Sequence, residues 1–510
     1  MGRKIKPFTA QMEILDAATD GRAVAKHEGK AIFIPGGVPG DVAKVHVYRK
    51  EKSILVGRIE EIETPSPNRI EPVCAHFEDC GGCKWQQMNY ETQLRYKENQ
   101  VVNVLRRIGH LQPEESRPIM GAPEPYFYRN KLEFSFSTKA WLTAKDKDNP
   151  EARKSNALGY HAPGFFDKII HIDTCHLQQP IINDIRNEIG QYAIEKGYEF
   201  YNIREHTGIL RNVAFRTSNG SGEIMVILIL GKNRKDVAED IFRHLEQTFP
   251  QITQMVYVIN EKPNSMYSDL PYHAWKGEPW ITENLEQYKF KIRPVSFFQT
   301  NPHQALELYK VVRGYLKDCL PEGADKHHTV YDLYSGTGSI GIFVSELVEK
   351  VVGIEYVQSA VDDAWENIRL NGLEEKRFSF YAGDMKLILT DELVQKEGAP
   401  DVIIADPPRQ GMDRKVVEQI LKVRPQHVIY VSCKPSTQAR DMAMMQEWYD
   451  LVSIQPVDMF PQTAHVENVA LLRLRNSHQP VEKNYYSHTK ESARKERIDA
   501  LLDSTEHMGE

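Results

Sequence analysis

Long apolar runs are missing from this chain. No stretch of 18 or more apolar residues occurs, so no membrane-spanning helix and no membrane partner are expected. The N-terminal MGRKIKPFTAQ is basic but lacks an apolar signal region, so export is not expected and a cytoplasmic location is. Cysteine is scarce. Six residues in 510 are too few for a disulfide scaffold, which needs a higher density in a smaller chain. A net positive charge is also lacking. The formal charge of -7, taken alone, argues weakly against a nucleic-acid partner. The local balance runs the other way at the N-terminus, where residues 1–52 hold ten Lys+Arg and six Asp+Glu. Acidic residues elsewhere can mask a basic groove in the whole-chain sum.

What remains is globular material. Hydrophobic residues make up 41% and charged residues 26%, and the length suffices for about three domains. Residues 1–64 form the first expected domain, a small β-barrel. KAIFIPG, VAKVHVYRK and SILVGRIEEI alternate apolar and polar positions between turn signals such as GGVPGD. The Pro-rich TPSPNRI follows as a linker. Residues 65–285 are expected to be a central α+β domain. It starts with three cysteines and a helix over 91–109, which is a candidate to pack with the catalytic domain. FYRNKLEFSFS, LRNVAFRTS, GEIMVILILG and MVYVIN read as strands, DVAEDIFRHLEQTF as a helix, and 142–157 as an exposed loop. Over 286–476 strands and helices alternate: VYDLY, KVVGIE, FSFYAGD, DVIIADPP, HVIYVSC and VALLRLR. That alternation predicts an α/β fold, a Rossmann-like parallel sheet. Residues 477–510 are polar and read as a flexible tail.

The segment from Val330 to Gly341, VYDLYSGTGSIG, runs from a strand into a helix. Its glycines let a ligand approach the backbone closely. Nineteen residues after Gly336 a strand ends at Glu355, where a carboxylate can accept hydrogen bonds from ribose hydroxyls. Asp384 ends the third strand, within reach of an adenine amino group. A glycine loop alone is a weak signal and fits nicotinamide enzymes equally well.

The fourth and fifth strands carry the chemistry. Asp406 opens DPPRQG at the mouth of the sheet, where ligands of this architecture lie. HVIYVSCKPST places Cys433 at the end of the next strand. Carbon 5 of uracil is a poor nucleophile, and a thiolate adding to carbon 6 makes it a good one. A base must then remove the carbon 5 proton before the thiolate leaves. Glu467, in AHVENV, is the candidate, with His465 as rival. A buried apolar cysteine and a surface glutamate are the ordinary alternatives, each credible alone.

Together these motifs resemble the RNA 5-methyluridine methyltransferases, a class I S-adenosylmethionine-dependent family. The resemblance spans nearly the whole chain to about residue 475 and rests on SFFQTN, DLYSGTGSIG, VVGIE, DPPRQG, VSCKPST and HVEN. It implies that Gln299, Tyr334, Glu355 and Asp406 contact S-adenosylmethionine, that Cys433 is the nucleophile and that Glu467 is the base. The N-terminal barrel looks like the TRAM RNA-binding module, a relative of OB-type barrels. Two departures stand out: SGTG replaces the family's frequent CGxG, and Ser339 stands where members often carry Asn.

Cys74, Cys80 and Cys83 are tightly spaced, and Cys175 lies far downstream. Four cysteines can hold a 4Fe–4S cluster or a tetrahedral zinc, and spacing alone does not separate the two. The ribosomal-RNA branch of the resembled family has this pattern with a 4Fe–4S cluster, which implies the cluster here. The same branch implies 23S ribosomal RNA as the partner, acted on by a monomer. Arg49, Lys50, Lys52, Arg95, Arg106 and Arg107 are candidate phosphate contacts. Three other readings compete. A cytosine-5 enzyme would place a cysteine after the fourth-strand prolines, where this chain has Arg409. A transfer-RNA uridine-5 enzyme usually lacks both barrel and cysteines. A non-catalytic RNA-binding iron–sulfur protein would leave Cys433 and Glu467 unexplained.

Overall fold

The computed structural model describes residues 5–51, 54–143, 146, 149–320 and 328–477. Lys52 and the part of the expected tail at 478–510 lie outside the described residues. Two compact units emerge: Met1–Val73 with Gly82–Gly121 and Pro407–Glu510, and Cys74–Gly81 with Ala122–Asp406. Among the described residues no helix is long and apolar enough to cross a membrane.

The first unit begins with a closed five-stranded barrel. Its strands are β1 (Phe8–Ala17), β2 (Ala23–His27), β3 (Lys30–Ile34), β4 (Val42–Glu51) and β5 (Ile54–Thr64), in the order β1-β2-β3-β5-β4. β1 pairs antiparallel with both β2 and β4, which closes the sheet and leaves no free edge. Period-two patterning fills the inside with Met12, Ile14, Ala25, Ile32, Ile34, Val45 and Val47. The strand β1 itself has no counterpart among the runs read from the sequence, because Gln11, Glu13 and Asp16 dilute its apolar alternation.

Buried Asp41 ties the barrel to the Pro-rich linker. It accepts from Val38 N at 2.7 Å and Ser66 N at 2.9 Å and pairs with Arg69 at 2.6 Å. Burial opposes its charge, but Arg69 and the two amides win and hold the carboxyl below its usual range.

Helix α1 (Tyr90–Val104) starts at Asn89, whose side chain accepts from Thr92 N at 2.9 Å. The expected helix over 91–109 is interrupted, since Leu105–Gly109 forms a π-turn closed by His110 in the left-handed region. The rest of the unit holds three paired strands and the helices Arg414–Val423 and Pro435–Met445. Strand His427–Ser432 pairs antiparallel with Glu467–Leu474, which pairs antiparallel with Tyr449–Val457. VALLRLR is therefore not a further parallel strand. It runs back against HVIYVS, and Tyr449–Val457 supplies a strand absent from the sequence reading.

The second unit holds a seven-stranded, largely antiparallel sheet. Helices Pro180–Glu195 and Lys235–Thr248 pack on it through Ile185, Ile189, Phe242 and Leu245. It also holds four parallel strands. Thr329–Leu333 is flanked by Lys350–Glu355 and Val402–Ala405, and Phe378–Ala382 lies beyond the former. The first three are almost continuously buried, as inner strands covered on both faces require. The fold is mixed α/β with a small N-terminal five-stranded barrel.

Candidate active site

In the second unit Tyr334, Glu355, Asp384 and Asp406 lie at the carboxyl ends of the parallel strands. Tyr334 follows strand Thr329–Leu333 at φ +65°, a conformation costing on the order of 1–2 kcal/mol for a side chain of this kind. Its N–H donates to Ile354 O at 2.9 Å, which holds the turn in place. Glu355 accepts from Gly336 N at 3.0 Å and from Val357 N at 2.9 Å, so its carboxylate is fixed at the loop. Each oxygen still has a second lone pair for a ligand hydroxyl. Gln299 is buried, and Asn130 Nδ2 donates to its carbonyl at 3.2 Å. Asn301 of the same SFFQTN stretch caps helix Pro302–Cys319. Asp384 also acts as a cap, accepting from Lys386 N at 3.1 Å. The Ser339 and Tyr309 hydroxyls hydrogen-bond each other at 2.8 Å.

Asp332 was not singled out from the sequence, yet it sets the electrostatics of this end of the sheet. It is fully buried and accepts from Gly341 N at 2.9 Å. A Cβ on Gly341 would stand 2.9 Å from that same carboxylate oxygen, so the helix can approach only as glycine. Burial pushes Asp332 up to about 7 despite the Gly341 bond, and the charges of Asp406 and Glu355 push the same way. Burial alone takes Asp406 up to about 7. Asp332 Oδ1 and the buried Ser335 Oγ have no partner among the described residues. Buried polar atoms left open in this way suit a ligand that hydrogen-bonds. Three carboxylates at one loop also discriminate between ligands. They would repel a dinucleotide's pyrophosphate, and they favour the sulfonium and ammonium charges of S-adenosylmethionine.

In the first unit Cys433 follows strand His427–Ser432 and precedes helix Pro435–Met445. The register Ser432↔Asn468 brings Cys433 and Glu467 to the same end of two adjacent antiparallel strands. Gln438 clamps the two strands together, its amide donating to Tyr430 O at 2.8 Å and to Asn468 O at 3.1 Å. Glu467 is only 4% exposed. Cys433 and His465 line one cleft of about 180 Å³, and Val466, which precedes Glu467, lines it too. Arg409 and Lys434 share that cleft, with Arg409 Nη2 3.5 Å from His465 Nε2. These cations and the N-terminus of helix Pro435–Met445 make the cleft electropositive, which suits an anionic nucleophile and a polyanion.

The DPPRQG turn is held from below. Asp441 accepts from Met412 N at 2.8 Å and from Tyr430 OH at 2.7 Å. Gly411 is required there, since its φ is +77° and a Cβ would fall 2.5 Å from Asp441 Oδ2. Sequence reasoning missed Gln438 and Asp441. Both are polar residues on the helix after Cys433, and their strand partners are invisible without the fold.

The cysteines divide between the units: Cys74, Cys80 and Cys175 in the second, Cys83 in the first. Among the described residues no cysteine forms a disulfide. Among the described residues no group of three or more His, Cys, Asp or Glu side chains is arranged to hold a metal ion. In the second unit, Tyr160 OH lies 4.0 Å from Cys175 Sγ. Burial raises that phenol well above its usual range, and the Cys175 and Cys80 thiols add to the shift.

The basic surface is thinner than its sequence count. Arg49 pairs with Glu51, and Arg22 pairs with Asp20 and Glu51. Arg95 packs over the Tyr96 ring and Arg106 donates to Asn103 Oδ1.

Comparison with known proteins gives concordant results. The family described as tRNA (Uracil-5-)-methyltransferase matches residues 221–475. A Bacteroides thetaiotaomicron protein named as an uncharacterized RNA methyltransferase is 46% identical over 463 residues, 90% of this chain and 100% of the relative. A protein of the same name from Porphyromonas gingivalis is 43% identical over 476 residues, 91% of this chain and 100% of the relative. A similar solved structure is the Pyrococcus abyssi tRNA (uracil-54, C5)-methyltransferase in complex with S-adenosyl-L-homocysteine. It has a TM-score of 0.69 and 25% identity, covering 91% of this chain and 100% of that one.

Proposed function

The chain belongs to the tRNA (uracil-5-)-methyltransferase family, S-adenosylmethionine-dependent enzymes acting on RNA, and from that premise we propose that it methylates carbon 5 of a uridine in 23S ribosomal RNA. The observation that carries the chemistry is the strand register that sets Cys433 beside Glu467.

Cys433, as thiolate, bonds to carbon 6 of the uracil, and the electron pair of the 5,6 double bond moves into an enolate at carbon 4. Carbon 5 is now the nucleophile. S-adenosylmethionine, when bound, supplies the methyl group that carbon 5 takes. Glu467 removes the proton left on carbon 5. The new enolate then collapses, restoring the double bond and expelling the Cys433 thiolate. Gln299, Tyr334, Glu355, Asp384 and Asp406 would hold the cofactor, and Asp332 Oδ1 and Ser335 Oγ are open to hydrogen-bond it. Residues 1–64 grip RNA phosphates, residues 65–285 carry the cysteines, and residues 286–476 carry catalysis.

Cys74, Cys80, Cys83 and Cys175 hold a 4Fe–4S cluster in this reading. Arg186 supports an anionic centre there. It is 0% exposed, its Nε has no partner, and it forms no ion pair with a carboxylate among the described residues. It donates instead to Asn183 Oδ1 at 3.0 Å and Asp173 O at 2.6 Å, and it lies within electrostatic reach of Cys175. A buried cation needs a counter-charge, and metal-bound thiolates provide one. Far in sequence from Cys433, the cluster has a structural or RNA-positioning role in this reading.

A transfer-RNA substrate is the second reading, favoured by the Pyrococcus abyssi likeness. Incubation with labelled S-adenosylmethionine and either 23S ribosomal RNA or transfer RNA, both lacking 5-methyluridine, separates the two. We expect label at carbon 5 of a uridine in the ribosomal RNA, and none with Cys433→Ala. Label in transfer RNA alone overturns the ribosomal assignment.

A further inference from the structure

The cleft that holds Cys433 is not built by the catalytic segment alone. Thr19, in the turn between β1 and β2 of the barrel, lines it, and so do Gln100 and Val104 of α1. Gln100 and Val104 stand one helical turn apart, so a single face of α1 meets the cleft.

Both contributors are anchored against the segment that carries His465. The barrel turn is closed by Ala18 N to Arg22 O at 2.7 Å and by Gly21 N to Ala18 O at 2.9 Å. Buried Trp85 donates its indole N–H to Gly21 O at 3.1 Å. A Cβ on Gly21 would come within 3.4 Å of Ala464 Cβ, which shows how closely the turn packs on the residue before His465. Helix α1 is fastened through Gln93, which donates to Gln462 Oε1 at 3.0 Å and accepts from Gln462 N at 3.0 Å. Neither the turn nor the helix face is free to drift away from the cysteine.

Thr19 and Gln100 also have unused polar capacity. Every side chain around them that fastens the turn or the helix is hydrogen-bonded. The Thr19 hydroxyl and the Gln100 amide form no hydrogen bond with any described residue. A carboxamide offers one donor and one acceptor side by side, which complements the alternating donor and acceptor edge of uracil. A hydroxyl can serve either role.

We propose that the target nucleotide is bound in a composite pocket, in which Gln100 of α1 and Thr19 of the barrel turn contact the uridine held over Cys433. The proposal rests on the uracil-5 reading above and deepens it. The barrel then does more than grip phosphates at a distance: it completes the pocket in which the base reacts. Gln100 and Thr19 are positioning contacts for the base, and Val104 is its apolar wall. Phosphate contacts dominate RNA affinity, so losing a base contact should slow covalent capture while leaving affinity nearly intact.

The test uses the full-length protein and 23S ribosomal RNA and transfer RNA, each transcribed with 5-fluorouridine. Fluorine cannot leave carbon 5 as a proton, so the Cys433 adduct accumulates and its rate of formation can be timed. We expect Gln100→Ala and Thr19→Val each to form adduct roughly tenfold to a hundredfold more slowly, the loss of one to two site hydrogen bonds. RNA affinity should change less than about threefold, and S-adenosylmethionine binding should be unchanged, which also reports folding. Thr19→Ser retains the hydroxyl and should restore the rate. Wild-type capture rates in both Gln100→Ala and Thr19→Val, with Cys433→Ala inert, overturn the composite pocket and leave the uracil-5 reading standing. Failure of the wild-type protein to capture either RNA overturns that reading, and the pocket with it.

Discussion

Lys97 Nζ and Asp458 Oδ1 stand 2.6 Å apart with neither side chain exposed to solvent. Tyr90 OH donates to the other carboxylate oxygen at 2.9 Å, and Lys97 also donates to Phe460 O at 3.0 Å. The pair joins α1 to the start of the segment that leads through Gln462 to His465 and Glu467. Removing one partner leaves a buried charge without its counter-ion, at a cost of about 3–5 kcal/mol. Lys97→Met should therefore lower the urea midpoint sharply. The double variant Lys97→Met with Asp458→Asn should recover part of the loss. A double variant as unstable as the sum of both singles would show that the two residues are not coupled.

The assignment of nucleophile and base can be separated kinetically. Cys433→Ala should give no adduct and no methylation. Glu467→Gln should add to carbon 6 and accept the methyl group but release slowly, so a methylated covalent complex builds up on natural RNA. Denaturing gels with labelled cofactor report both states. Normal turnover in Glu467→Gln would transfer the base role to His465, whose ring shares the Cys433 cleft.

Asp332 and Asp406, both pushed up to about 7, predict pH-dependent cofactor binding. A cationic ligand favours their ionised forms, so binding releases protons below pH 7. Affinity for S-adenosylmethionine should rise as pH increases towards 7 and level off above it. Titration calorimetry in buffers of different ionisation enthalpy measures the proton release, which should shrink in Asp406→Asn. Stability without ligand follows the opposite sign. A raised carboxyl stabilises the fold at low pH, and that contribution disappears as pH rises through about 7. Asp332→Asn, which removes the buried charge, should raise Tm more at pH 8 than at pH 5.

If the four cysteines hold the proposed cluster, buried Arg186, within electrostatic reach of Cys175, faces its negative charge. Protein purified without oxygen should be brown and hold about four irons per chain if one 4Fe–4S cluster is bound. Cys175→Ser should lose the iron. Arg186→Met should keep less iron than wild type and bleach faster in air, while Arg186→Lys should lie between. Stoichiometric zinc without iron would overturn the cluster.

How far the sequence could be read depended on how local each signal was. The glycine loop, DPPRQG, and the ends of HVIYVSC and KVVGIE are short motifs at strand ends, where the parallel architecture concentrates ligand chemistry. Tyr334, Glu355 and Asp406 lie at neighbouring strand ends, and Cys433 and Glu467 share a strand end. Asp332 escaped notice because its importance comes from burial, which no motif records. Tyr449–Val457 escaped because its YDLVSIQPV mixes apolar residues with Asp450, Gln455 and Pro456. The antiparallel return of VALLRLR leaves no sequence trace, since a buried strand reads the same in either direction. Thr19 was the least accessible of all. Nothing around it is chemically distinctive, and its meaning comes wholly from the residues folded against it.

The reactive cleft draws Thr19 from near one end of the chain and Val466 from near the other, so its assembly waits on synthesis. At about 5–20 residues per second, roughly twenty seconds to a minute and a half separates their emergence from the ribosome. Over that interval the barrel can close on its own β1–β5 pairings, while the cysteine pocket does not yet exist. If the barrel grips RNA as proposed, a nascent chain holds RNA before it can react with it.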